Sequence, residues 1–427
     1  MLVPSIDLAL GQAVQLIGGE TPAIDAGDPR PIAARFSRVG TMAVIDLDAA
    51  LSRGDNGDLI RELCAQYPCR VGGGIRDLST ARRWLDAGAE TIIIGTAAQP
   101  DFLKQLPKDR LIAALDARDG DVVVKGWTEG TGQSVLGQME ALRDYVSGFL
   151  VTFVECEGRM GGTRMDLVAE MVKVAGDARV TIAGGITTAQ EVAELDRLGA
   201  DAQVGMALYS GRLSLADAFA APFRSDRPDQ LWPTVVVDQH DRALGLCYSN
   251  LESLSAALDE GRGIYWSRSR GLWRKGETSG ATQSLISVST DCDRDTLRFK
   301  VRQAGLGFCH LAATSCWGQL SGIPDLFELI QGRLNQAPEG SYTRRLLTDP
   351  SLLKSKLMEE ADELVRAQTR SEAIWEAADL LYFALVKLAK DGGTWTEVEA
   401  LLKRRALAVS RRAGDAKEEV IYDRPMA

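Results

Sequence analysis

Cys292, Cys309 and Cys316, with Asp291, Asp293 and Asp295 around the first of them, are the residues of this chain best suited to chemistry. Three thiolates that leave a fourth position open form the ligand set of a catalytic zinc, and carboxylate oxygens beside them suit magnesium. Zinc held in this way lowers the pKa of a bound water towards neutrality, so hydrolysis is the chemistry to expect. His310, beside Cys309, is either a proton carrier or a core histidine. The strand-like run Leu285–Thr290 leads into Cys292, and Cys309 and Cys316 bracket a short turn after the next strand. The ligands are therefore expected to converge from the ends of neighbouring strands.

Upstream lie Tyr265-Trp266-Ser267-Arg268-Ser269-Arg270 and Lys275-Gly276-Glu277-Thr278-Ser279-Gly280. Arg268, Arg270 and Lys275, with Glu277, Thr278 and Ser279 beside them, are candidate contacts for a phosphorylated substrate, because guanidinium forks match phosphate oxygens. A second acidic set follows: Glu359, Glu360 and Glu363, then Glu376 and Asp379. Residues three apart share a helix face, so Glu360 with Glu363 and Glu376 with Asp379 aim carboxylates from two antiparallel helices at shared cations. Near the N-terminus, Val71-Gly72-Gly73-Gly74-Ile75-Arg76 and Ala183-Gly184-Gly185-Ile186 follow strands. Glycine there lets backbone N–H groups approach a phosphate, which makes Gly73, Gly74, Gly184 and Gly185 candidate ligand contacts.

The elements that position these residues fall into three segments, consistent with 427 residues being too many for one core. Short β-rich runs at 2–6, 43–47, 70–73, 91–94, 111–115, 149–154, 180–183 and 202–204 alternate with helical stretches and predict a (β/α)8 TIM barrel over 1–224. Asp7 is echoed by Asp116, Gly73 by Gly184 and Gly95 by Gly205, a repeat of about 110 residues that implies two half-barrels. The polar stretch Arg224–Asp229 marks a boundary. A small β-rich α+β domain is expected over 231–320 and an all-α helical bundle over 321–417, ending in a mobile charged tail.

Taken with the cysteines, the middle segment resembles phosphoribosyl-AMP cyclohydrolase of histidine biosynthesis. The resemblance implies that Cys292, Cys309 and Cys316 carry zinc, that the aspartates carry magnesium, and that a zinc-activated water opens the purine ring of phosphoribosyl-AMP. It also implies a homodimer, since in that family the thiolates come from two subunits. The helical segment, with Ser341-Tyr342-Thr343 ahead of Lys356, Glu359, Glu360 and Glu363, resembles phosphoribosyl-ATP pyrophosphohydrolase. There magnesium would neutralise phosphates while an activated water releases pyrophosphate, with Glu360 and Glu363 counted among the catalytic residues.

The barrel looks like the phosphoribosylformimino-aminoimidazole carboxamide ribotide isomerase, whose ligand has two phosphates. Asp7 matches its base, Asp116 a second aspartate, and Lys125-Gly126-Trp127 agrees downstream. Phe153, Glu157 and Arg159 stand where the family typically reads aspartate, aspartate and threonine. Glu157 keeps a carboxylate but moves it by one methylene, a displacement that costs on the order of 10²-fold in rate. The order of segments resembles the N-terminal part of the fungal multifunctional histidine biosynthesis protein. Two hydrolases acting in succession on phosphoribosyl nucleotides are thus expected, with the barrel either a slow or working isomerase or a non-catalytic ligand-binding scaffold.

A formal net charge of -10 disfavours nucleic acid or an anionic membrane as partner. The start Met1–Asp7 lacks the features of a signal peptide, and seven cysteines suit reduced thiols, so a cytoplasmic protein is expected.

Overall fold

The computed structural model describes residues 1–19, 21–124 and 129–410. Its contacts form two units, Met1–Phe223 with the segment from Arg404, and Arg224–Lys403. Lys125-Gly126-Trp127 and the charged tail beyond residue 410 lie outside the described residues. Among the described residues, no helix is long and apolar enough to cross a membrane.

In the first unit, eight parallel strands close on themselves: Leu2–Ala9, Met42–Asp46, Cys69–Gly72, Thr91–Ile94, Leu111–Arg118, Gly148–Phe153, Arg179–Ala183 and Ala200–Val204. Closure comes where Leu2 pairs with Ala202 and Pro4 with Val204. Branched and small side chains, Ile93, Ile112, Leu150 and Ala183 with Ile45 and Ala114, fill part of the interior. The helix Leu78–Ala87 shows how the outer layer is written. The Asp77 carboxylate accepts from Thr80 N at 2.8 Å, a cap worth about 1 kcal/mol, and Ala81, Trp84 and Leu85 at helical spacing form the buried face. Gly88, at φ +105°, ends it in a left-handed conformation that a side chain would resist. In the other half-barrel Thr188 takes the place of Asp77 and forms a capping box with Glu191. The twofold repeat therefore extends to the helix caps.

Two hairpins stand on this frame that periodicity did not predict. Strands Gln12–Ile17 and Thr21–Gly27 extend the first barrel strand, with Asp7 opposite Val14. Strands Asp121–Val124 and Glu129–Ser134 extend the fifth, with Asp116 opposite Val123. Each rises beside one of the echoed aspartates.

The second unit begins with a four-stranded sheet in the order Ala243–Ser249, Trp232–Val237, Leu297–Gln303, Gln283–Thr290, and a hairpin Ile264–Ser267 with Gly271–Arg274. Helix Leu251–Glu260 starts at an Asn250–Ser253 capping box and ends at Gly261. Val236, Leu254, Tyr265 and Phe299 are buried, each stabilising by about 1.5–3 kcal/mol. The Tyr265 hydroxyl stays satisfied by donating to Gln283 Oε1 at 2.7 Å.

Five helices follow: Ile323–Asn335, Tyr342–Thr348, Pro350–Arg366, Arg370–Lys390 and Trp395–Leu407. Phe327, Ile330, Leu346, Leu353, Phe383 and Val386 form their core. The two long helices are joined only through Ala367, Gln368 and Thr369, which forces an antiparallel pair.

Candidate functional site

The barrel holds a cavity of about 1300 Å³ lined by Asp7, Asp116, Thr152 and Glu157. Its wall also carries Gly73, Gly74, Gly95 and Thr96 from one half and Gly184, Gly185, Gly205 and Met206 from the other. Glycine is required at Gly73, where φ is +95° and a Cβ would stand 2.2 Å from Asp46 O. Gly184 is its counterpart at φ +92°, and there a Cβ would meet the Glu157 carboxylate at 3.1 Å. The backbone is thus bare on both sides of the cavity.

Two of these carboxyls hold their protons well above the usual carboxylate range. Burial raises Asp7 to about 6, against hydrogen bonds from Ser5 Oγ at 3.2 Å and Gln15 Nε2 at 3.3 Å. Burial, then the charges of Asp7 and Asp116, raise Glu157 to about 7. Of the three departures from the isomerase pattern, only Glu157 faces the cavity. Phe153 is fully buried in the strand alternation that turns its neighbour Thr152 inward, and Arg159 is exposed. Ser5 and Gln15 escaped the sequence reading. Gln15 lies on the unpredicted hairpin, and Ser5 had only its position two residues before Asp7 to mark it.

At the thiol site the structure corrects one expectation. Cys309 and Cys316 are neighbours, and burial followed by the adjacent Cys309 pushes the Cys316 thiol up. Backbone bonds from Cys309 N to Ala313 O (3.0 Å) and from Cys316 N to Leu244 O (2.8 Å) fix the loop. Cys292 is exposed, and among the described residues the clusters of three or more potential ligands contain no cysteine. The reason is local. Asp291 Oδ1 accepts from the backbone N–H groups of Asp295 and Thr296, both at 3.2 Å, and the tightened turn presents Cys292 to solvent. Asp291, Asp293 and Asp295 do converge, with ligand oxygens within 4.8 Å of one another.

His310 is exposed with Nδ1 3.9 Å from Cys309 Sγ, so it is not a core histidine. Arg268 and Arg270 lie over Tyr248 and Trp273 at 4.8 and 5.0 Å, and Glu277, Thr278 and Ser279 are exposed beside them. Lys275 differs from its neighbours. It is 7% exposed, its ammonium faces Trp273 and Phe308, and burial lowers its pKa against the pull of Cys247, Cys316 and Cys309. It is enclosed beside the thiols, whereas the two arginines stand in the open. Cys247, buried close by, is a fourth thiol that spacing did not single out.

In the helical region the expected carboxylates come together completely. Glu359, Glu360 and Glu363 form one cluster and Glu360, Glu376 and Asp379 another, each with ligand oxygens within 4.8 Å. Glu360, 4% exposed, belongs to both. Lys356 Nζ holds it at 2.6 Å and Glu359 at 3.0 Å. Burial and then the like charges of Glu363, Glu360 and Asp379 raise the Glu376 pKa. Hard oxygens in this number fit magnesium, and paired sulfurs at an open loop fit zinc.

Family models agree with this division of the chain. One described as histidine biosynthesis protein matches residues 1–214, one as phosphoribosyl-AMP cyclohydrolase residues 245–318, and one as phosphoribosyl-ATP pyrophosphohydrolase residues 323–406. The histidine biosynthesis trifunctional protein of Neurospora crassa is 38% identical over 340 residues, covering 78% of this chain and 36% of the relative. Its namesake in Saccharomyces cerevisiae is 52% identical over 200 residues, 46% of this chain and 25% of that one. This chain therefore spans about a third or a quarter of the length of these fungal relatives. A phosphoribosyl imidazole-4-carboxamide isomerase of Gemmatimonas aurantiaca is 39% identical over 236 residues, 51% of this chain and 99% of the relative. The chain belongs to the histidine biosynthesis protein family and joins that family's barrel to a phosphoribosyl-AMP cyclohydrolase region and a phosphoribosyl-ATP pyrophosphohydrolase region, in that order.

Proposed function

We propose that the chain hydrolyses phosphoribosyl-ATP to phosphoribosyl-AMP and pyrophosphate in its helical region and then opens the purine ring of phosphoribosyl-AMP at its thiol site. The observation that carries this reading is Glu360, a buried carboxylate shared between two ligand clusters. Such a site is built to hold two cations against a polyphosphate. Glu359, Glu360, Glu363, Glu376 and Asp379 would hold magnesium, as would Asp291, Asp293 and Asp295, and Cys292, Cys309 and Cys316 would hold zinc. Magnesium supplies charge neutralisation when bound, and zinc an activated water. The chain's own groups do the rest: Glu363 orients water at the phosphate, Arg268 and Arg270 receive the substrate phosphate, and His310 carries protons at the ring.

The two hydrolytic segments are assigned to 231–320 and 321–417, after a barrel over 1–224. A homodimer completes the zinc site. Cys292 is exposed, and Leu306, Leu311 and Trp317 near the other thiols are 75%, 75% and 65% exposed, apolar surface that a second chain would cover. Seven unpaired cysteines support the cytoplasm as the compartment.

A third activity, isomerisation in the barrel, is favoured by a specific observation: Glu157 faces the cavity with Asp7 and keeps its proton near neutrality. Glu157 gives that proton to the ribose ring oxygen as the ring opens, and Asp7 takes the proton from C2. Phosphoribosyl-ATP supplied to the purified chain with zinc and magnesium tests the whole reading by product chromatography. Pyrophosphate, the ring-opened intermediate and its isomer are expected in turn, and phosphoribosyl-ATP left intact by folded protein would overturn it.

A further inference from the structure

We propose that Gln15 is a positioning residue for the Asp7 carboxylate, fixing its orientation in the barrel cavity. The inference rests on the isomerase reading, but its geometry stands apart from it. Gln15 is 3% exposed and lies on the hairpin strand Gln12–Ile17, one residue beyond the Val14 that pairs with Asp7. Its Nε2 donates to Val14 O at 2.9 Å and to Asp7 Oδ2 at 3.3 Å. Both partners accept only, so the amide must turn its two-proton edge towards them. Oε1 then packs on Gly205, where a Cβ would stand 2.5 Å away, so this glycine makes room for the carboxamide.

Ser5 Oγ holds the other oxygen, Asp7 Oδ1, at 3.2 Å. Each oxygen of the base thus has one donor of its own, and the rotation of the carboxylate is set before substrate arrives. Among the described residues, the Glu157 carboxyl and the Tyr209 phenol feel the Asp7 charge, and Asp116 acts on the same Glu157. On the adjacent strand and its loop, Asp46 and Asp48 are engaged by Asn56, and Asp48 also by Leu10 N. Around Asp7 the charged groups are acidic, so the donors from Gln15 and Ser5 are what favours its ionised form.

The test uses the full chain and two readouts: the pH–rate profile of isomerisation, and a carboxyl NMR titration with 13C-labelled aspartate, the Asp7 signal assigned with Asp7→Asn. Gln15→Met keeps the length and removes the donor. It is expected to move both the acid limb and the Asp7 titration upward by about one pH unit and to lower kcat about tenfold with KM little changed. Gln15→Lys restores a donor and should bring the titration back to or below its wild-type position, which covers the case in which the methionine variant fails to fold. An Asp7 titration that stays put in a folded variant overturns the role. Absence of turnover in the wild-type chain would instead strike the isomerase reading, with the NMR shift still deciding whether Gln15 acts on Asp7.

Discussion

The helical carboxylate site and the thiol site are both built from acidic and metal-binding side chains, yet within one chain the first brings its carboxylates together and the second leaves Cys292 outside any cluster. Glu360, Glu376 and Asp379 meet because three-residue spacing puts ligands on one face of each helix and a short connector folds the two faces together. Cys309 and Cys316 meet because one short loop carries both, whereas Cys292 sits on a different turn whose own hydrogen bonds point it outward. Local spacing assembles a site when the elements carrying it are forced to pack. Where ligands ride on separate loops at a sheet's rim, spacing along the chain does not bring them together.

The largest effect expected from breaking this contrast is at its most buried member. Glu360→Gln should lower pyrophosphate release by at least about 10³-fold while leaving ring opening of supplied phosphoribosyl-AMP intact, as a coupled pyrophosphate assay and chromatography would show. Cys309→Ser should do the reverse, with phosphoribosyl-AMP accumulating from phosphoribosyl-ATP. In the barrel, Glu157→Gln removes the acid, and isomerisation should fall about 10²–10⁴-fold with both hydrolyses unchanged.

That residue also yields a pH prediction. Asp7 must be ionised and Glu157 protonated, so isomerase activity should peak between about 6 and about 7 and fall on either side. The same shifts cost stability. Both folded pKa values lie above the ordinary values of 3.8 and 4.5, so the folded state holds more protons between the two, and stability falls as pH rises through that window. Glu157→Gln should accordingly stabilise the chain at pH 7.5, by about 1–2 kcal/mol, and have little effect at pH 4, as denaturant titrations at the two pH values would show. The smallest effect is at the rim: Arg268→Ala should raise KM for phosphoribosyl-AMP about tenfold with kcat nearly unchanged.

Legibility in the sequence followed the same physical line. The barrel strands were readable because most are short, largely apolar and buried runs, and the paired carboxylates because helical spacing is regular. The hairpins beside Asp7 and Asp116 were not, since glycines interrupt them and register shifts at Ala13/Val14 and Gln15/Leu16 break the alternation. Gln15 was hidden with them. Lys275 read as a phosphate contact like Arg268 and Arg270, because nothing in Arg-Lys-Gly shows that Gly276, at φ +84° against Ala281, folds the loop so that the lysine is enclosed. For Cys292, spacing shows that three thiols exist but not how they would meet.

Co-expression of Cys292→Ser with Cys309→Ser tests that last point most directly. If the zinc site takes Cys292 from one chain and Cys309 with Cys316 from its partner, each mixed dimer regains one intact site of two. Ring opening should then return to about a quarter of wild type from two inactive parents, since about half of randomly paired dimers are mixed. The matching pair Glu360→Gln with Glu376→Gln should regain no pyrophosphate release. Cysteine variants that stay inactive in mixed dimers, or carboxylate variants that recover, would contradict the account.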